Sequence, residues 1–301
     1  MKTRALILAT VWVLSVCAPQ AAVAQSGPGD VIHVSVKGDR LAFASIEDYK
    51  RAVDQPSKET REQFSRAVAV LKGFTSFAQK QSSAAARQTY SDKVALLIPD
   101  EYFASILNSN LVVQIGDSII RVNPSKERVY VLPAANEKEY GDLIAGNARN
   151  KHIRVFSTSD DVLEAIQAGG TGQQTCTEPG IGDLHSQAPA GSLTAMAGFV
   201  RYGIYFTLFA MVSPYGSSGF PYQFDFTGGI DASQGYVHYR MRCGNTVSHE
   251  ISTSGSWVRT NQKFQSYQGS RNLSQVYFFY RLKDSETGQY LTPNVGFRVN
   301  R

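Results

Sequence analysis

Apolar and polar positions divide the chain into stretches of two periods. Val31-Ile32-His33-Val34-Ser35-Val36 and Leu41-Ala42-Phe43 read as short strands joined by a turn at Lys37-Gly38-Asp39. Ser45 then caps a short helix, with Asp48 three residues on as an acidic variant of the capping box. A second helix opens at Pro56-Ser57. Its Phe64, Ala67, Val68 and Leu71 recur at helical spacing and are expected to face the core, and Gly73 stops it. Pro99-Asp100-Glu101 begins a third helix, with Tyr102, Phe103, Ile106 and Leu107 as its apolar stripe. Gly116-Asp117, set between Leu111–Ile115 and Ser118–Val122, predicts a tight hairpin, since glycine accepts the positive φ of a type II′ turn. Arg128–Leu132 adds a strand, and Val162–Ile166 ends a short helix.

Past residue 192 the period becomes two. Tyr202–Val212 is one long apolar run, expected as a central strand. Between Tyr236 and Arg242 the alternation places Val237, Tyr239, Met241 and Cys243 on one face, and Tyr236, His238, Arg240 and Arg242 on the other. Val276, Phe278, Tyr280 and Leu282 are expected to be buried, and Tyr290-Leu291 with Val295–Val299 to close the sheet around Pro293-Asn294. The fold class predicted is therefore an α+β N-terminal region followed by an all-β, sandwich-like C-terminal domain. Between them, Gly169-Gly170-Thr171-Gly172 through Pro179, Gly180, Pro189 and Gly191 carries no hydrophobic period and reads as a linker. The expected boundaries are 25–168, a linker at 169–191, and 192–301.

Composition supports the division. Residues 199–301 hold 10 Lys+Arg against 5 Asp+Glu, and 21 of the chain's 33 aromatic residues. The second part is thus the basic, aromatic one, where a ligand surface is best sought. At the other end, Lys2 and Arg4 precede the apolar run Ala5–Val16, and Ala22-Val23-Ala24 supplies small residues for signal peptidase. Residues 1–24 are expected to be a signal peptide cleaved after Ala24, which places the protein in the periplasm, at the cell surface or outside the cell. The competing reading, a lipoprotein anchored at Cys17, is disfavoured by the bulky Val16 before it. No later stretch reaches the roughly 20 apolar residues of a spanning helix.

An exported chain makes disulfides, so Cys176 and Cys243 are expected to pair. A zinc site at His238, Cys243 and His249 lacks the close paired spacing of such sites, and no metal or cofactor is expected.

Leu41-Ala42-Phe43 followed by a short helix, Gly73-Phe74-Thr75-Ser76, and the hairpin from Asn108 through Asp117 resemble exported bacterial envelope proteins of an uncharacterised family. The resemblance covers mainly residues 31–132, implies export, and carries no reaction.

Catalytic signatures are sparse. There is no Gly-x-Ser-x-Gly, and Tyr215-Gly-Ser-Ser-Gly219 has the wrong spacing. The glycines at 169–172 open no phosphate-binding helix, and His249-Glu250 has no second histidine. Asp160-Asp161 and Asp100-Glu101 sit where helices begin and suit the helix dipole; Asp183 and His185 fall in the linker. The favoured candidate is instead a ligand face formed by Tyr236, His238, Arg240, Arg242 and Trp257, with Tyr277 and Phe279 beside it. Rings stack on sugars and arginine forks grip carboxylates or sulfates, which suits acidic glycans or a surface protein. Nucleic acid is not expected, because no Lys/Arg-rich run is present. The expected function is a secreted or envelope-associated, non-catalytic binding module. An assembly component of the envelope and an unrecognised hydrolase are the alternatives.

Overall fold

The computed structural model describes residues 22–25, 31–54, 58–82, 98, 100–171, 176–190, 193–214, 229–244, 246–256, 262–284, 289–290 and 292–300. Its first half is a seven-stranded sheet in sequence order: β1 (Ala22–Gln25), β2 (Val31–Lys37), β3 (Arg40–Phe43), β4 (Val112–Ile115), β5 (Ser118–Asn123), β6 (Arg128–Pro133) and β7 (Arg154–Ser157). Neighbours are antiparallel except β3 and β4, which pair in parallel with Phe43 opposite Ile115. A parallel pair needs a long crossover. Here it holds α1 (Ile46–Val53), α2 (Lys58–Ala69), α3 (Phe77–Ser82) and α4 (Glu101–Ile106). The helices cover one face over a core that includes Phe43, Tyr49, Phe64, Phe103 and Val113. A smaller core on the other face holds Val112, Ile119, Leu132 and Leu143, the last from α5 (Tyr140–Ala145). Burial on both faces is why Val112-Val113-Gln114-Ile115 shows no polar alternation.

Both expected turns form. Gly38 and Gly116 take φ of +60° and +55°, and the pairs Lys37–Arg40 and Ile115–Ser118 close two-residue loops. The quoted motifs meet in space. Ser76 bridges Asn108, Gly116 N–H donates to Phe43 O, and fully buried Arg40 donates to Gln114 and Glu137 while lying over the Tyr140 ring. Phe64 and Val68 are buried as expected, but Ala67 faces solvent, because only the i, i+4 pair on α2 reaches the core. Pro56 and Ser57, expected to open α2, and Pro99 lie outside the described residues.

Ser45 caps α1 by accepting the Asp48 N–H, and buried Asp48 accepts in turn from the Ser45 hydroxyl and His33 N–H. Burial alone would raise the Asp48 carboxyl. The Ser45 and His33 hydrogen bonds with the nearby imidazole outweigh it and hold the group below its ordinary 3.8. A lowered folded-state value contributes stability above the unfolded pKa that is lost as pH falls through the folded one. Asp48→Ala is therefore expected to cost about 1–2 kcal/mol at neutral pH. Thermal melts from pH 7 to 2.5 should show the gap to wild type closing at the acid end; a constant gap would refute the coupling.

The second half stacks two antiparallel sheets. One has the order β13-β10-β9-β8, with β8 (Leu184–Ala190), β9 (Leu193–Arg201), β10 (Phe206–Pro214) and β13 (Gln262–Gly269). The other runs β12-β11-β14-β16, with β11 (Gly229–Met241), β12 (Thr246–Ser256), β14 (Leu273–Tyr280) and β16 (Val295–Val299); β15 (Lys283–Asp284) pairs β11. Phe199, Phe206 and Leu208 meet Val237, Val276, Phe278 and Tyr280 between the sheets, as a sandwich requires. Val276, Phe278, Tyr280 and Leu282 are all buried, as their alternation predicts.

Three expectations change. The apolar run from Tyr202 is not one strand: β10 starts at Phe206, and Tyr202–Tyr205 forms the β9–β10 turn, with Gly203 at φ +77°. That turn is apolar because Tyr202, Ile204 and Tyr205 insert into the core of the first half, with Tyr205 stacked 4.2 Å from Phe103. The 169–191 stretch is also not all linker, since α6 (Val162–Thr171) extends into it and β8 lies within it. Tyr290 forms no strand with β16, which pairs β14 instead.

The expected cleavage after Ala24 falls inside β1, so processing there would leave β2 as the edge of the first sheet. Among the described residues no helix is long and apolar enough to cross a membrane.

Candidate functional site

The four-stranded sheet is covered on both sides. Thr207 points away from the sandwich core yet is fully buried, donating to Asp100 at the start of α4. Opposite it, Gln268 on β13 accepts from Arg61 of α2 at 2.7 Å. Tyr49 donates to Ile204 O, and Ser270 donates to Asp54 through N–H and hydroxyl. The first half thus occupies that outer face, whereas the outward face of the five-stranded sheet leaves Tyr236 and Tyr277 exposed among the described residues.

Strand register writes that face as a grid. Tyr236 stands opposite Phe279, and His238 opposite Tyr277. On the β16 side Phe279 faces Gly296 and Tyr277 faces Arg298; on the β12 side His238 faces Ser248. Four rings therefore occupy a two-by-two block. Tyr236 and Tyr277 lie 6.1 Å apart edge to face, Tyr277 and Phe279 4.8 Å apart, and Tyr236 and His238 6.4 Å apart with nearly parallel planes. Such ring pairs hold each other in fixed orientation while their outer surfaces stay wet. Tyr236 is 42% and Tyr277 36% exposed.

The rim is polar. The His238 imidazole and Ser248 hydroxyl are 2.8 Å apart. The Arg298 guanidinium sits 5.9 Å from the Tyr277 ring centre, oriented by donating to Asn300 Oδ1. Arg240 is half-exposed, with Glu178 at 3.7 Å. At Gly296 a side chain is excluded, since a Cβ would fall 1.8 Å from Phe278 O. The position beside Phe279 is consequently bare backbone.

Of the expected site residues, Tyr236, His238 and Arg240 are brought together with Tyr277 and Phe279. Trp257 lies outside the described residues. Arg242 does not belong to the face. Between Arg240 and Met241 the β11–β14 register shifts, and β11 ends at Met241. The unpaired residue is Ser274 on β14, and Met241 still packs against the sandwich core; the alternation of β11 stops with the strand, so Arg242 turns from the open face into the junction between the halves. There it donates to Asp161, Glu164, Cys176 O and Glu178 O. Cys243 leaves the strand as well, at φ +48°, and forms the expected disulfide with Cys176. Arg298 was missed because a single arginine in Val295–Val299 has no signal until β16 is known to flank Tyr277.

A cleft of about 240 Å³ runs beside the disulfide, lined by Lys50, Asp161, Glu164, Arg242, Ser270 and Arg271. Its carboxylates are occupied: Asp161 accepts from Arg242 and Asn272 N–H, Glu164 from Arg242 and Cys176 N–H. Both are engaged by the one guanidinium, so the pair serves as a bolt between the halves. Asp100 caps α4 through the Phe103 N–H, and Asp183 accepts from Arg201 N–H. Among the described residues no group of three or more His, Cys, Asp or Glu is placed to hold a metal ion. No family model, curated protein or solved structure matches the chain.

Proposed function

We propose that the protein is an exported, envelope-associated, non-catalytic binding module whose ligand is a carbohydrate seated on the outward face of the five-stranded sheet. Export rests on Lys2, Arg4, the apolar run Ala5–Val16 and Ala22-Val23-Ala24. The observation that carries the ligand reading is the block of rings at Tyr236, His238, Tyr277 and Phe279, solvent-facing and free of aliphatic neighbours in the grid. A sugar presents an apolar C–H face ringed by hydroxyls. It matches rings bordered by Ser248, Gln275 and Asn300 better than a protein interface does, whose core wants larger continuous apolar area.

Tyr236→Ala with Tyr277→Ala is the direct test. Each ring is exposed and lies outside the sandwich core, so melting is expected to move by no more than about 1 kcal/mol equivalent. Retention on an oligosaccharide array should fall at least tenfold, taking as a guide the ~1–3 kcal/mol that an aromatic ring contributes when a nucleobase stacks on it. Unchanged retention with an unchanged melt would sink the reading.

A further inference from the structure

We infer that the saccharide is anionic, and that its carboxylate or sulfate is gripped jointly by Arg298 and Arg240 while a sugar ring rests on Tyr277 and Tyr236. This rests on the carbohydrate reading above and adds the charge and orientation of the ligand. The two arginines flank the ring block on different strands. Arg240 stands opposite Gln275 on β14, and Arg298 opposite Tyr277, two residues further along. Two strand spacings across and two residues along separate their Cα atoms by about 12 Å, within the combined reach of two extended arginine side chains converging above Gln275 and Tyr277.

Two features favour an anion at that point. Arg298 is exposed and already oriented, its Nε and Nη2 donating to Asn300 at 2.8 and 2.6 Å. Holding one edge of the guanidinium reduces the freedom lost on binding and leaves further N–H groups for a ligand. Arg240 has only a 3.7 Å approach to Glu178, and Glu178 is itself engaged by Cys243 N–H at 2.7 Å. The cation on the open side is therefore weakly compensated, and a carboxylate or sulfate completes it as a charge-assisted pair.

His238 lies between these groups, bordered by Tyr236, Arg240, Ser248 and Tyr277. It supplies a ring and a hydrogen-bonding nitrogen, and the grip does not require its charge.

The experiment uses the purified chain and an array that pairs charged glycans with uncharged counterparts on one backbone. Oligogalacturonate with its methyl ester, and sulfated with desulfated glycosaminoglycan fragments, serve as probes in 0.15 M salt. The wild type is expected to retain the charged member at least tenfold better than its partner. Arg240→Gln with Arg298→Gln should bring charged glycans down to the uncharged level. Arg240→Lys with Arg298→Lys, which keeps the charge and removes the fork, should fall between. Equal retention of charged and uncharged partners, or an unchanged Gln double variant, overturns the anionic assignment and leaves the carbohydrate reading standing. Absence of any glycan retention removes both. Oligo-dT bound as tightly as the best acidic glycan would overturn the assignment in favour of single-stranded nucleic acid, which uses the same rings and arginines.

Discussion

Replacing Cys176 and Cys243 together by serine is expected to lower the unfolding free energy by about 4 kcal/mol, a fall in Tm of roughly 8–15 °C. The bridge spans 67 residues and closes a loop that contains β8, β9, β10 and β11. In the chain-entropy picture its main effect is to restrict the unfolded chain, which is why the loop length sets the magnitude. The native geometry has other support at that point. Cys176 N–H donates to Glu164, Cys176 O accepts from Arg242, and Cys243 N–H donates to Glu178. The serine variant should consequently fold to the same near-ultraviolet signature and keep its ligand face, while melting earlier. Denaturant unfolding of both proteins measures the difference. An unchanged midpoint would mean the bridge carries no stability. Thiol titration of the denatured, unreduced wild type should find neither cysteine free.

Arg242→Ala is the second large effect, expected at about 3 kcal/mol, or roughly 6–12 °C. Its side chain is 14% exposed, and those of Asp161 and Glu164 are 16% and 21% exposed. Removing the guanidinium leaves two partly buried carboxylates facing each other and two carbonyls without a donor, a more costly state than the loss of one favourable pair. Arg240→Ala provides the contrast. Two positions earlier on the same strand, it is half-exposed and only weakly approached by Glu178, so its loss should stay within about 0.5 kcal/mol. If both variants melt alike, the division of β11 into a ligand face and a structural end is mistaken. Arg242→Ala and the cysteine replacement share Cys176 and Glu164, so their effects should not add.

That contrast also marks where the sequence was readable. The turns at Gly38 and Gly116, the Ser45 cap and the Asp100 cap depend on residues a few positions apart, and each formed as its local chemistry predicts. The alternation along β14 was equally direct, because a strand buried on one face shows its orientation in its own composition. Ala67 and the Tyr202 run depart from their patterns for different reasons. Helical spacing does not tell a covered alanine from an exposed one, and Ala67 faces solvent; the Tyr202–Tyr205 turn is apolar because the core of the other half covers it.

Within the candidate face, the sequence alone determined Tyr236, His238 and Arg240 as one side of a strand, and named Tyr277 and Phe279 as outward residues. It likewise determined the cysteine pair, the division into an α+β part and a β-rich part, and the basic, aromatic bias of the second. Only the tertiary structure decided that β14 lies between β11 and β16, which brings Arg298 to Tyr277 and a bare Gly296 to Phe279. It alone decided that β11 ends at Met241 and Arg242 turns to the junction, and that the first half covers the other sheet. The physical reason is the range of the forces involved. Caps, turns and alternation are set by neighbours along the chain, whereas strand order and register follow from pairing between separate strands, and which sheet face is covered from contacts as distant as Tyr49 with Ile204 and Asp100 with Thr207.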